Sequence, residues 1–146
     1  MTDLVVDWCS YEAAKYAVEH WHYSGVLPYG KLIKIGVWED KSFIGVVIYA
    51  YGANKNIGSP YELDMTEVCE LVRVALDEHK TPTSKVVAKS IKMIKKQSPG
   101  IRLIVSYADT KQKHLGIIYQ ATNWVYTGTI DTTPFHYVNG RWMKQR

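Results

Sequence analysis

Phenylalanine is nearly missing from this chain: 2 residues among 146, beside 11 tyrosines and 5 tryptophans. Most of its rings therefore join an apolar body to a polar tip that needs a hydrogen-bond partner when buried. Cysteine is as scarce, and Cys9 and Cys69 show no metal-ligand spacing, so both are expected as buried thiols. No linker rich in Gly, Pro or Ser and no internal repeat divides the sequence, and residues 1–146 read as a single domain. No apolar run approaches the length of a bilayer span, and no basic run leads into a long apolar stretch after Met1. Neither a membrane span nor a signal peptide is expected.

Missing motifs exclude chemistries as well. There is no Walker loop and no Rossmann glycine fingerprint. The H-x-E and P-C-x-x-C pattern of zinc deaminases is lacking, so hydrolytic deamination of a base is not expected. The Asp/Asn-Pro-Pro-aromatic tetrad that amino-methyltransferases place beside a flipped base does not occur. Nor does a Gly-x-Ser-x-Gly nucleophile elbow.

What is present describes a globular protein, with 47% hydrophobic and 22% charged residues. The net charge of +4 hides an asymmetry. Residues 1–79 hold 6 Lys/Arg against 12 Asp/Glu, a balance of −6, whereas residues 80–146 hold 12 against 2, a balance of +10. A basic half points to a polyanion such as nucleic acid; a dipolar surface with no partner is the plainer reading.

Local patterns predict the elements. Leu4–Trp8 reads as a strand, after which Ser10 caps a helix whose Ala13, Ala14, Ala17, Val18 and Trp21 fall at helical spacing. Gly25 suits the left-handed stop, and residues 26–30 form a loop. Strands follow at 34–38 and Ser42–Tyr51 around a turn at Glu39, Asp40 and Lys41. Residues 54–60 read as a loop and 67–76 as a long strand, its Val68, Glu70, Val72, Val74 and Leu76 sharing one face by period two. Thr83 or Ser84 opens a helix through Lys96 that Pro99 and Gly100 end. Its apolar side is Val86, Val87, Ile91 and Ile94, and Lys85, Lys89, Lys92 and Lys96 run along another side, as a solvated face or a phosphate-contacting one. A buried strand at 102–107, a short helix at 113–122 and strands at 124–130 and 135–138, with a turn at Asn139 and Gly140, complete a mixed α/β layer architecture.

Four segments carry the candidate chemistry: His22-Tyr23-Ser24-Gly25 at a helix end, Glu70-Leu71-Val72-Arg73 in the long strand, Ser106-Tyr107-Ala108-Asp109 where a buried strand ends, and residues 116–123 on the short helix. Ligands of open α/β sheets gather beyond the carboxyl ends of strands, and Asp109 sits at such an end. Tyr119 returns ten residues later. Each residue has a plain structural reading: His22 as a solvated ring, Asp109 as a turn cap, Tyr119 as a core ring. Arg73 either holds an anion or pairs with Glu70.

The run from the buried strand through Ala108-Asp109 and Ile118-Tyr119-Gln120 to Asn123-Trp124-Val125-Tyr126-Thr127-Gly128 is similar to the last conserved segment of GNAT acyltransferases. That resemblance implies a mostly antiparallel sheet splayed near the site, helices on both faces, and Tyr119 as general acid to a leaving thiolate. It also shows a departure. Where GNAT enzymes hold the pyrophosphate of coenzyme A on a glycine-rich loop, residues 77–84 contain no glycine and begin with Asp77 and Glu78.

The four segments together, in order, resemble the Mom family of phage DNA-modification proteins over roughly residues 20 to 142 by pattern matching. The resemblance implies a transferase that converts adenine in double-stranded DNA to an N6-carbamoylmethyl (acetamido-type) derivative, protecting phage DNA from restriction in the cytoplasm of the bacterial host. It further implies His22, Tyr23, Asp109 and Tyr119 at the catalytic centre, where the same four are the ligands of an implied iron(II), although they are not the two-histidine, one-carboxylate set and a second histidine is lacking. Glu70, Arg73, Ser84 and Ser106 are candidates to hold substrate or donor. Lys85, Lys89, Lys92, Lys111, Lys113 and His114 are candidates to contact DNA phosphate. The donor is acetyl-coenzyme A or glycyl-tRNA. The alternatives are a conventional acetyltransferase acting on a small amine or protein lysine, and a nucleic-acid-binding module without catalysis.

Overall fold

In a computed structural model the backbone is described for residues 3–28, 30–51, 67–109, 125–126, 132–138 and 141–143, and side chains within those ranges as far as residue 106. The expected loop at 54–60, the helix at 113–122 and the turn at Asn139 and Gly140 lie outside the described residues. The elements are β1 (Leu4–Trp8), α1 (Tyr11–Trp21), β2 (Lys31–Glu39), β3 (Ser42–Tyr51), β4 (Val68–Leu76), α2 (Thr83–Gln97), β5 (Leu103–Asp109), β6 (Val125–Tyr126), β7 (Thr132–Val138) and β8 (Arg141–Met143). They form one mixed sheet in the order β1-β2-β3-β4-β5-β7-β6, with β8 on β7. The β4–β5 pair is parallel and the others are antiparallel. Among the described residues no helix is long and apolar enough to cross a membrane.

Alternation along β3 sorts the two helices onto opposite faces. Val47 and Tyr49 pack with Val86, Val87, Ile91 and Ile94 of α2, whereas Val46 and Ile48 pack with Ala14, Ala17 and Val18 of α1. The fully buried Tyr49 finds the partner its hydroxyl needs in Ser90 of α2, at 2.7 Å. Cys69 is buried and Cys9 partly so, and both are free thiols.

The local signals act as their chemistry dictates. Ser10 Oγ accepts the Ala13 N–H at 3.1 Å and starts α1, and Gly25 adopts φ +63° after its end. The 39–42 hairpin turns through Asp40 (φ 50°) and Lys41 (φ 71°), both left-handed. Gly45, at φ +146°, leaves no room for a side chain: a Cβ there would collide with the Ala75 carbonyl of β4.

One expectation is corrected. Strict alternation in β4 fails, because Ile48 pairs with Arg73 while Tyr49 pairs with Leu71, leaving Val72 extra. This β-bulge shifts the phase. Cys69 and Leu71 before it, and Val74 and Leu76 after it, all pack toward α2, while Val72 and Ala75 pack toward α1. Helix α2 opens at Thr83, as expected. Pro82 is its N-cap and makes no side-chain cap bond, and the Thr83 hydroxyl is engaged 3.1 Å from His79 Nε2.

Candidate active site

Pairing between β4 and β5 ends at Leu71–Ser106, although β4 runs on to Leu76 and β5 to Asp109. The parallel strands part at that rung and open a fork. At its apex the buried Ser106 hydroxyl donates to the Leu71 carbonyl at 3.2 Å. The bulge falls just beyond the apex, so Glu70 lies before it and Arg73 after it. By alternation Glu70 points to the α1 face, opposite Cys69 and Leu71, and the bulge brings Arg73 to the same side.

Arg73 makes no ion pair with Glu70. Its Nε donates to the Val26 carbonyl at 3.2 Å and its Nη1 to the Val72 carbonyl at 2.8 Å, which ties the chain leaving α1 to the fork. The Glu70 carboxyl is half-buried, and burial raises its pKa above the ordinary carboxylate value, with the Arg73 charge pulling the other way. A carboxylate that holds a proton more readily than usual is suited to accept one.

His22 caps the C-terminus of α1 through its N–H to the Val18 carbonyl at 3.2 Å, and the Gly25 N–H returns to the His22 carbonyl at 3.0 Å. Within this turn the Ser24 N–H donates to His22 Nδ1 at 3.0 Å, and the Ser24 hydroxyl lies 2.7 Å from the same nitrogen. A backbone N–H can only donate. Nδ1 therefore carries the lone pair and the ring proton is on Nε2. Burial, and then the Arg73 charge, lower the His22 pKa to about 4, so the ring is neutral at pH 7. The Tyr23 ring stacks on it with centroids 4.4 Å apart and is itself mostly exposed.

This arrangement does not fit the implied iron at His22. A metal-ligating histidine turns a lone pair to the metal and donates its other N–H to an acceptor. In His22 the lone pair is spent on Ser24, and the free nitrogen carries the hydrogen. Among the described residues no three His, Cys, Asp or Glu converge as a metal site.

Asp109 is the last residue of β5, three positions past the apex and on the diverging stretch. The Tyr119, Lys111, Lys113 and His114 positions lie outside the described residues. Ser84 is half-buried in the first turn of α2. Lys85, Lys89 and Lys92 do not join the fork. They line a groove of about 610 Å³ between α2 and the start of β1, with Lys80 at one end and Asp3 and Leu4 opposite. The groove belongs to the α2 face, across the sheet from His22 and Arg73. Lys89 is committed there, its Nζ donating to the Leu4 carbonyl at 2.8 Å.

Sequence reasoning placed Ser24 in a candidate segment without its role of fixing the His22 ring, and missed Glu39, read only as a turn residue. The buried Glu39 carboxylate reaches across to accept the Lys80 N–H at 2.9 and 3.1 Å and the Thr81 N–H at 2.7 Å. These bonds hold its pKa below the ordinary value. The Thr81 hydroxyl is buried close by but outside hydrogen-bond geometry. A Glu at a strand end has no local signature for such a partner 41 residues away.

A mixed sheet that forks between two parallel strands, with a helix on each face, is the architecture of GNAT acetyltransferases. Solved structures share it at low identity. The aminoglycoside acetyltransferase AAC(6')-Ib in complex with coenzyme A and kanamycin is 10% identical with a TM-score of 0.70, covering 93% of this chain and 95% of that one. The PaiA N-acetyltransferase of Thermoplasma acidophilum in complex with coenzyme A is 14% identical with a TM-score of 0.61, covering 93% and 99%. The N-acetyltransferase PseH of Campylobacter jejuni in complex with acetyl coenzyme A is 15% identical with a TM-score of 0.54, covering 73% and 67%.

Within that fold class the chain belongs to the Mom protein family, whose profile matches residues 3–146. The methylcarbamoylase Mom of Escherichia phage Mu is 27% identical over 144 residues, which cover 96% of this chain and 59% of that protein. The chain thus spans about three-fifths of the length of that relative.

Proposed function

We propose that this chain is a transferase that places a carbamoylmethyl (acetamido-type) group on N6 of adenine in double-stranded DNA, protecting phage or prophage DNA from restriction in the host cytoplasm. The observation that carries this reading is the family match across residues 3–146. The fork supplies groups for the chemistry. The lone pair of adenine N6 is delocalised into the ring, so the site must present an activated carbon and take away a proton. The new bond joins N6 to that carbon, the leaving group departs with its electron pair, and a base takes the N6 proton. Glu70, with its raised pKa, and Asp109, at the end of β5, are the acceptors. The neutral His22 does not take the proton; it donates from Nε2. Arg73 keeps guanidinium hydrogens for an anionic part of the donor, and Tyr119 stabilises the leaving group. The target adenine leaves its stack and lies against the exposed Tyr23 ring.

The lysine groove serves the DNA backbone. It lies four strands from β5, about 19 Å at roughly 4.8 Å per strand, which is a distance a duplex spans. Lys80 and Lys85 stand at the end of the sheet where the fork opens, since α2 follows the carboxyl end of β4. Lys111, Lys113 and His114 extend the contact. With a glycyl-tRNA donor the balanced route has two steps. N6 attacks the ester carbonyl and the tRNA hydroxyl leaves; then the glycyl amine attacks C6 of the same adenine and expels the first nitrogen as the terminal amide, which leaves a carbamoylmethyl group on the new N6.

The test is to express the chain in a bacterium, digest its DNA to nucleosides and search for a deoxyadenosine heavier by about 57 Da, the mass a carbamoylmethyl group adds to the base. Wild type gives the product. Asp109→Ala and Glu70→Gln lower it by about 10²-fold or more while remaining folded, the loss expected for a proton acceptor. Unmodified DNA from well-folded wild type, with tight coenzyme A binding, would instead favour a conventional acetyltransferase, the reading supported by fold neighbours solved with coenzyme A.

A further inference from the structure

Backbone N–H groups at the start of a helix have no intrahelical partner and attract anions. In α2 this end is unusual. The N-cap is Pro82, which has no N–H, and no side chain of the helix itself caps it. The N–H groups of Lys80 and Thr81, in the loop just ahead of Pro82, form a second anion cradle, and its anion is already in place. One Glu39 carboxylate oxygen takes the Lys80 N–H at 2.9 Å, and the other lies 3.1 Å from the same nitrogen and 2.7 Å from the Thr81 nitrogen.

Glu39 is built into this position from several sides. It is the last residue of β2, pairs with Leu4 of β1, and precedes the left-handed turn at Asp40 and Lys41. That turn is itself tied to β1 by the Asp3 N–H to Asp40 Oδ1 and the Asp40 N–H to the Asp3 carbonyl, both at 2.8 Å. Only 8% of the Glu39 residue is exposed. The loop between β4 and α2 adds the exposed carboxylates of Asp77 and Glu78, and has no glycine to bring a bulky phosphate nearer the backbone. A pyrophosphate-bearing donor such as coenzyme A, which the fold implies, does not fit here. Its phosphates would have to displace a buried carboxylate and face two more.

We infer that Glu39 is an internal counter-anion occupying the phosphate position in the loop just ahead of α2, and that it sets donor class by refusing a donor anchored there through a pyrophosphate. Glu39 makes no contact with the reaction; it acts by filling the cradle. The inference concerns the donor and is independent of whether DNA is the acceptor.

The experiment follows backbone amide resonances of the full chain during titration with coenzyme A and, separately, inorganic pyrophosphate. In wild type the Lys80 and Thr81 amides stay in place with either probe. In Glu39→Gln, which keeps an acceptor but loses the charge, and in Glu39→Ala, the same two amides shift saturably and pyrophosphate affinity rises at least tenfold. Saturable shifts of those amides in wild type would overturn the inference without recourse to a variant. It would equally be overturned by a folded Glu39→Ala protein whose amides ignore pyrophosphate. DNA modification, scored on the same proteins, separates this result from the acceptor question.

Discussion

At His22 a single backbone hydrogen decides what the ring can do. The Ser24 N–H holds the Nδ1 lone pair, so an N–H faces outward where a ligand or base would need a lone pair. The expected measurement is an imidazole ¹⁵N spectrum showing the Nε2–H tautomer at pH 7, unchanged by added iron(II), with titration near pH 4 in place of 6.5. Stability follows the same group. The folded pKa lies below the ordinary one, so between pH 6.5 and about 4 the unfolded chain binds more protons. The contribution of neutral His22 is complete above pH 6.5 and is lost as pH falls through about 4. Urea midpoints at pH 7 and pH 4.5 should therefore separate less in His22→Asn than in wild type; equal separation would refute the assignment. The His22 residue itself was legible, because it stands in a quoted segment at a helix end. Its role was not, because the choice of nitrogen depends on the turn geometry that Gly25 allows. Glu70 and Arg73 were likewise legible as neighbours in a motif, but the bulge and the Val26 carbonyl, which keep them from pairing, were not.

The elements that folded as expected are those whose signals are local. Ser10 needs only the Ala13 N–H three residues away, and Gly25 needs only its own backbone. What failed was the phase of β4. An extra residue at Val72 has no glycine to mark it, and period-two counting assumes no insertion, so residues on its two sides were assigned to one face. The 39–42 hairpin makes a quantitative test at this scale. A lysine in the left-handed region costs about 1–2 kcal/mol, and the two-residue turn favours Gly after Asp. Lys41→Gly should therefore stabilise the fold by about 0.5–1 kcal/mol in urea unfolding, after the greater freedom of glycine in the unfolded chain is offset. A loss of stability would mean that the turn is not the left-handed pair.

Across the whole molecule the sheet separates two tasks, with His22 and Arg73 on the α1 face at the fork and the lysine groove on the α2 face beside β1. The charge asymmetry made the basic half visible in the sequence, but it could not distinguish a solvated stripe from a groove, because that depends on β1 folding back beside α2. The geometry now divides the lysines. Lys85 and Lys92 line the groove without an ion pair among the described residues, whereas Lys89 is bound to the Leu4 carbonyl. If the groove holds a phosphate backbone, each of Lys85→Ala and Lys92→Ala should weaken duplex binding and reduce the slope of log K against log salt by about 1, as expected for one released counterion. Lys89→Ala should change the slope less, and should lower stability instead, because it frees a carbonyl at the edge strand. Lys85→Ala and Lys92→Ala should each weaken binding to unrelated duplexes to a similar extent, since phosphate contacts carry no sequence information. Unchanged slopes in Lys85→Ala and Lys92→Ala, with wild-type affinity retained, would move DNA off this groove and onto the basic residues 111–114. The sheet would then present its acceptor and its donor from the fork side alone.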